Sequence, residues 1–379
     1  MKILQVNKLY YPHIGGIETV VQNIAEGLND RTEMEVLVCQ PKGKAISEVV
    51  NDVFVTRSGS MGTLFSMPIS LSFISDFKQK AKQSDIVHVH MPFPLADLAC
   101  IMSEYKGKVV VSWHSDVVKQ KKLMFFYRPI MERFLRRADR IIVATKGHID
   151  GSQYLKPYRN KCRIIPYGLD IEEYEAIDGF KPVLSDLLVS KQNKKVLFTG
   201  RLVYYKGVEV LINAFEKVIG CELFIVGTGK LESELKAKVN ELGLNHKVHF
   251  MGNLSFDELK YTFADCDIFV LPSVANSEAF GIVQMEAMVY GKPVINTDLP
   301  TGVPHVSLDG KTGITVPPND ALALAGAIQK LADDDDLRQE YGQNAYLRTR
   351  ENFSLQKMLD DIYVLYEELL GIKSKELKE

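Results

Sequence analysis

Residues 267–290 read D-I-F-V-L-P-S-V-A-N-S-E-A-F-G-I-V-Q-M-E-A-M-V-Y. The run Ile268–Leu271 is apolar and bounded, the pattern of a strand buried on both faces of a parallel sheet. Pro272 ends it, and the polar stretch 273–277 is a loop. From Gly281 the pattern becomes that of an apolar-rich helix closing at Gly291. A strand, loop and helix start in this order make an anion site at the C-terminal edge of a sheet. Two carboxylates bracket it. Glu278 precedes the helix, and Glu286, four residues after Ile282, points back toward the helix start. A carboxylate among Met285, Ala287 and Met288 needs a partner, since an unpaired buried charge is costly. Ligand hydroxyls would serve, and the backbone N–H groups of Gly281, Ile282 and Val283 would take phosphate oxygens.

On both sides of this stretch, strand-like runs alternate with helical patterns. They fall at 3–7, 35–38, 53–56, 86–90, 109–113, 141–144 and 163–166, then at 195–199, 223–226, 248–251, 268–271, 293–296 and 313–316. That rhythm predicts parallel doubly wound sheets, an α/β protein. It breaks at 167–181, which reads as an interdomain linker. At 379 residues the chain has room for about two domains. An apolar content of 46% with 25% charged residues fits a globular protein, and a net charge of −2 argues against nucleic acid as a partner. The five cysteines are scattered without a C-x-x-C pair, which points to a reducing compartment and no zinc site. Met1 leads directly into a strand and no apolar run reaches spanning length, so a cytoplasmic location is expected.

Two glutamates eight positions apart around Phe280-Gly281, inside L-P-S…N-S-E-A-F-G…E-A-M…G-K-P-V-I, resemble the E-x7-E signature of retaining glycosyltransferases of GT-B fold (glycosyltransferase group 1). The resemblance extends over nearly the whole chain. It implies two Rossmann-like domains facing across a cleft, an acceptor-side domain at 1–170 and a nucleotide-sugar domain at 171–354. A closing helix in 355–379 is expected to return to the first domain. It also implies that Glu278 holds sugar hydroxyls and Glu286 the ribose diol.

Other motifs fit this frame. Gly15-Gly16 before a helix would let N–H groups approach a diphosphate; a plain strand-to-helix turn is the other reading. His114 ends the strand run V-V-V-S-W. The resemblance places it near the transferred sugar, and an imidazole there would sense protonation near neutral pH. Arg201 and Lys206 by themselves read as solvated surface charge; the G-R…K-G spacing is similar to the family's, and the resemblance implies that they clamp the diphosphate and stabilise the leaving group. Tyr204-Tyr205 departs from the polar residues expected before Lys206. The resemblance implies that Gly227 and Gly229 form a glycine turn beside the nucleotide and that Asn253 borders the base. His88 and His90 read as strand-end imidazoles rather than metal ligands. Gly310-Lys311-Thr312 lacks the first glycine of a P-loop. Asp265-Cys266-Asp267 precedes a strand, at the sheet end away from ligands, and argues for no metal. No cofactor is expected beyond the sugar nucleotide itself.

The wording of the motifs is closest to bacterial surface-polysaccharide enzymes, often users of GDP-mannose or a related GDP-sugar, acting on a glycan or polyprenyl-diphosphate-linked acceptor. A nucleotide-sugar epimerase or hydrolase, and a non-catalytic carbohydrate- or nucleotide-binding subunit, stay open as alternatives. Between 119 and 140, eight Lys or Arg stand against two acids and interleave with Leu123, Phe125, Phe126, Ile130, Phe134 and Leu135. This reads either as a segment lying on anionic lipid or as a helix with an apolar core face. Pro129 is expected to split it into two pieces.

Overall fold

In a computed structural model, the described residues are all except 14, 65–66, 117–120, 178 and 373–379; the side chains of 121–123 are also left aside. The chain divides into two units, Met1–Tyr167 with Leu355–Glu379, and Gly168–Ser354.

The first unit is built on strands β1 (Lys2–Val6), β2 (Glu33–Cys39), β3 (Ile46–Val50), β4 (Val53–Ser58), β5 (Thr63–Leu64), β6 (Met67–Pro68), β7 (Ile86–Met91), β8 (Lys108–Trp113), β9 (Arg140–Val143) and β10 (Cys162–Ile164). Eight of them form one sheet in the order β10-β9-β8-β7-β1-β2-β4-β3, while β5 and β6 make a separate hairpin. All pairs in the large sheet are parallel except β3 with β4. Strand β3 was not foreseen because Ile46–Val50 is an edge strand with mostly exposed side chains and no buried apolar run.

Helices cover both faces. On one face Phe73, Phe93, Phe134 and Leu135 pack against Leu4, Val87 and Val109. On the other, Val20, Val21 and Ile24 of the helix Gly16–Gly27 and Met358, Leu359, Ile362, Leu365 and Tyr366 of the closing helix Leu355–Leu370 cover Ile3, Val36 and Val110. Gly27 allows the close approach: a Cβ there would fall 2.4 Å from Leu359 Cδ1.

The second unit has six parallel strands: β11 (Lys194–Thr199), β12 (Cys221–Val226), β13 (Val248–Gly252), β14 (Ile268–Val270), β15 (Val294–Thr297) and β16 (Gly313–Val316). They follow the order β13-β12-β11-β14-β15-β16. The order therefore reverses between β11 and β14. Ligands of open α/β sheets bind outside the carboxyl ends of the strands at such a reversal. In the first unit the reversal lies between β1 and β7.

Three local expectations are corrected. Residues 171–175 of the supposed linker form a helix of the second unit, capped by Asp170, whose side chain accepts from Glu173 N–H. Pro129 does not split the basic segment: Lys121–Arg137 is one helix with the proline inside. Pro129 is exposed, as is Phe125 four residues before it, so water can reach the carbonyl that loses its partner. His88 and His90 lie within β7, fully enclosed, and not at a strand end.

Candidate active site

In the second unit the loops after β11 and β14 meet. Gly207, at φ +68°, sits against the chain after β14, and a Cβ on it would lie 1.9 Å from the Pro272 carbonyl oxygen. Val274 N–H donates to the Tyr205 carbonyl oxygen at 2.8 Å. The contact brings Lys206 Nζ to 2.6 Å from Glu278 Oε2, with both side chains nearly buried. Ser273 Oγ donates to the same carboxylate oxygen at 3.1 Å. Tyr205, which looked out of place in the sequence, serves both cations. Its hydroxyl accepts from Arg201 Nη2 at 2.9 Å, and its ring lies 5.8 Å from Lys206 Nζ. Arg201 itself is exposed.

The loop then turns at Gly281, whose φ is +77°. The helix begins at Val283, not at Gly281. A left-handed residue cannot continue a right-handed helix, and glycine takes that geometry at least cost. Gln284 and Met285 donate back to Gly281 and Ile282, and the N–H groups of Gly281, Ile282 and Val283 take no partner among the described residues. Phe280 is buried, its ring edge-on to Phe353, so its side chain serves the core.

Glu286 lies in the first turn of this helix and accepts from the Tyr174 hydroxyl at 3.0 Å. Burial pushes its carboxyl up from the usual carboxylate range; Tyr174 and Lys206 act against that. The Tyr290 hydroxyl in turn donates to the Tyr174 carbonyl oxygen. Tyr174 thus supplies the partner that the sequence reading left to a ligand.

Gly227 and Gly229 close the β12 tip against the Arg201 loop. Added Cβ atoms would fall 2.2 Å from the Gly200 carbonyl oxygen and 2.3 Å from that of Leu202. Asn253 is exposed after β13 and accepts from the Thr228 hydroxyl at 3.2 Å. Asp265 accepts from Lys195, from the Ser185 hydroxyl and from the N–H groups of Leu184 and Ser185, while Asp267 accepts from Lys195 N–H. Both carboxylates therefore tie strand to chain within the unit.

In the first unit, Gly15 caps the helix Gly16–Gly27 with ordinary extended backbone, and a Cβ on Gly16 would meet nothing within 4 Å among the described residues. The Glu18 carboxylate folds back over this start, where a Gly15 Cβ would meet its Oε2 at 2.4 Å. His114, just past β8, is almost wholly buried. Desolvation, with a smaller contribution from His148, pushes its imidazole down to about 3. His114 is therefore neutral across the physiological range, and the expected sensing of pH near neutrality does not hold.

Over these sites, the sequence pattern described as "Glycosyl transferases group 1" matches residues 184–348, and that described as "Glycosyltransferase Family 4" matches 14–173. The Escherichia coli protein named O-antigen chain mannosyltransferase C is 33% identical over 99% of this chain and 100% of its own length. The Pseudomonas aeruginosa D-rhamnosyltransferase WbpZ is 34% identical over 93% and 92%. The chain belongs to the glycosyl transferases group 1 family. Solved structures share its GT-B fold. Anabaena HepE in complex with UDP superposes with a TM-score of 0.80 at 20% identity over 97% of this chain and 100% of its own. WaaG, a glycosyltransferase involved in lipopolysaccharide biosynthesis, gives 0.70 at 19% identity over 97% and 100%.

In this glycosyltransferase the residues that sequence reasoning missed are Tyr174, Tyr205, Ser273 and Asp97. Asp97 is fully buried in the helix Pro94–Met102, one oxygen taking the Tyr127 hydroxyl and the other without a partner among the described residues. Burial pushes its carboxyl up to about 8. Only the acid in P-L-A-D-L, among apolar neighbours, hinted at it.

Proposed function

We propose that this glycosyltransferase moves a hexosyl group from a nucleoside-diphosphate sugar, GDP-mannose or a related GDP-sugar, to a hydroxyl of a lipid-linked glycan during surface-polysaccharide synthesis. The reaction retains the anomeric configuration and needs no metal. The observation that carries the reading is the Lys206–Glu278 pair at the reversal of the second sheet, with Arg201 and Glu286 in the same unit. A cation for phosphate and a carboxylate for hydroxyls, each holding the other until a ligand arrives, suit a sugar diphosphate. The naming of the two relatives as mannosyl- and rhamnosyltransferases favours a mannose-type sugar.

In this reading Arg201 and Lys206 take the negative charge that grows on the leaving diphosphate. Glu278 orients sugar hydroxyls, Glu286 the ribose diol, and His114 a hydroxyl of the transferred sugar. Gly227, Gly229 and Asn253 border the nucleotide. The anomeric carbon–phosphate oxygen bond breaks as the carbon–acceptor oxygen bond forms on the same face. The acceptor's proton passes to the departing phosphate, so no protein nucleophile is required.

Membrane attachment is the second part of the proposal. In the helix Lys121–Arg137, Met124, Tyr127, Met131, Phe134 and Leu135 are buried, whereas Phe125 and Phe126 are 78% and 76% exposed. The exposed aromatics with Arg133 and Arg136 make a face suited to anionic lipid. No helix among the described residues is long and apolar enough to cross a membrane.

A thermal-shift comparison of GDP-mannose, UDP-glucose and ADP-glucose tests the donor, since a ligand at 100 times its dissociation constant stabilises by about 2.7 kcal/mol. Stabilisation by the GDP-sugar alone is the expected result, and stabilisation by UDP-glucose alone overturns the donor assignment. Transfer in EDTA, with NMR of the new linkage, tests the chemistry. A strict metal requirement or an inverted linkage overturns it.

A further inference from the structure

Residues at alternate positions of a strand share a face. On the face of the first sheet that the closing helix covers, Ile3 pairs with Ile86 at one end of the strands, and Val110 lies one row further along, opposite His88. Toward their carboxyl ends the same face carries Gln5, His88, His90 and Ser112, with His114 just beyond. All five are buried, as is Tyr366 of the closing helix. Polar groups so enclosed must find partners, and these bond to one another. Gln5 Nε2 donates to the Tyr366 hydroxyl at 3.0 Å, and Gln5 Oε1 lies 2.8 Å from His90 Nε2. His90 Nδ1 lies 2.9 Å from His114 Nε2, and His114 Nδ1 lies 2.8 Å from the Tyr167 hydroxyl. His88 joins Tyr366 at 2.7 Å and Ser112 at 2.8 Å.

A neutral imidazole has one N–H and one lone pair, so the direction of one bond sets the next. The Gln5 carbonyl oxygen can only accept, so His90 carries its proton on Nε2 and offers the Nδ1 lone pair. The bond between the two rings then requires a proton on His114 Nε2. His114 Nδ1 is left as an acceptor, and Tyr167 donates to it. In the other direction Tyr366 accepts from Gln5 and gives its own hydrogen to His88. A reversed amide at Gln5 would reverse the path through His90 and present an N–H at His114 Nδ1.

We propose that Gln5 and His90, with Tyr366 holding the amide of Gln5, are positioning residues that fix His114 as the Nε2–H tautomer. His114 thereby offers an acceptor at Nδ1, filled by the Tyr167 hydroxyl in the free protein and by a sugar hydroxyl when the donor binds. The second half rests on the assignment of His114 to the transferred sugar; the first does not. Burial keeps all three histidines uncharged, so a neutral tautomer is the state to be set. An acceptor at this place selects for a sugar that bears a hydroxyl hydrogen to give, and discriminates against one deoxygenated or etherified there.

The test is a long-range proton–nitrogen correlation spectrum of the full chain with ring-labelled histidine, assigned by single substitutions. His90 and His114 should both appear as Nε2–H tautomers. Gln5→Met keeps side-chain length and removes the amide, and should give His114 a visible Nδ1–H population. Gln5→Glu keeps an acceptor toward His90 and should restore Nε2–H. Turnover with GDP-mannose should fall about tenfold in Gln5→Met with donor KM within twofold, and recover in part in Gln5→Glu. An Nδ1–H His114 in the parent protein, or an unchanged His114 tautomer in Gln5→Met, overturns the proposal. Tautomers that shift as expected while turnover stays the same overturn the assignment of His114 to the sugar and leave the hydrogen-bond direction standing.

Discussion

Lys206 Nζ and Glu278 Oε2 stand 2.6 Å apart, with side-chain exposures of only 12% and 10%. At that burial, removing one partner strands the other charge, at a cost of about 3–5 kcal/mol. Under the proposed reaction, the pair opens only when a ligand supplies both a phosphate for Lys206 and hydroxyls for Glu278. Glu278→Gln keeps the shape and frees Lys206. Turnover should drop about 100-fold, as for loss of one electrostatic contact in a transition state, while the affinity for free GDP holds or improves. Calorimetry and initial rates measure the two separately, and a variant with full turnover would exclude Glu278 from the reaction.

Glu286 should behave differently. Glu286→Gln removes a charged acceptor and should weaken nucleotide binding by roughly 1.5–3 kcal/mol. Tyr174→Phe deletes the hydroxyl that holds Glu286 at 3.0 Å and should have a milder effect in the same direction. Equal nucleotide affinity in all three proteins would remove Glu286 from the binding site.

Stability should fall on mild acidification. His88, His90 and His114 all have protonation pushed far below the ordinary histidine value by burial. Once the pH drops below about 6.5, the unfolded chain takes up protons that the folded chain refuses. Each such histidine then removes up to about 1.4 kcal/mol of stability per pH unit. Urea midpoints between pH 7 and 5 check this, and a flat profile would contradict the buried neutral network.

Asp97 acts in the opposite direction. Its acid form persists to about pH 8 in the folded chain, whereas an unfolded aspartic acid ionises near 4. Stability is therefore lost as pH rises through that window, by up to about 1.4 kcal/mol per unit. Asp97→Asn can keep the bond to Tyr127 and has no proton to lose. Its melting temperature relative to the parent should climb from pH 5 to pH 8. A difference independent of pH would mean that Asp97 is ionised in the folded protein.

The proposed membrane face calls for a chosen set of changes. Arg137 bonds Asp139 and the carbonyls of Tyr105 and Gly107, so reversing it would damage the fold. Arg133 and Arg136 are exposed, and each cation near an anionic surface contributes about 1 kcal/mol. Arg133→Glu with Arg136→Glu, or Phe125→Ser with Phe126→Ser, should release the protein from anionic liposomes in low salt while GDP affinity stays the same. Equal sedimentation of parent and variants would refute lipid binding by this helix.

The sheets were legible because their strands are apolar runs buried on both faces, and parallel pairing leaves little else for such runs to do. Glu278 and Lys206 were singled out through the resemblance of their motifs to the family, and the fold brings those two side chains together. Tyr174 was hidden in I-E-E-Y, a short polar stretch whose tyrosine meets its partner, Glu286, more than a hundred residues away in the chain. Tyr205 looked like an anomaly because an aromatic between two cations has meaning only once the loop is folded. The histidines of β7 were misplaced for a related reason. Periodicity shows which face a residue occupies, but not that Gln5, Tyr366 and Ser112 will arrive there to satisfy it.

The closing helix has a consequence for how the molecule is made. Met358, Leu359, Ile362, Leu365 and Tyr366 complete a core whose other half lies in the first 167 residues. Domains generally fold as units in the order of synthesis, but here the first unit needs a helix that is made after the second. The second unit is synthesised whole before Leu355–Leu370, while in the first Ile3, Val36 and Val110 stay only partly covered until that helix has been made. A chain truncated shortly before Leu355 should aggregate through its N-terminal half, far in sequence from the cut.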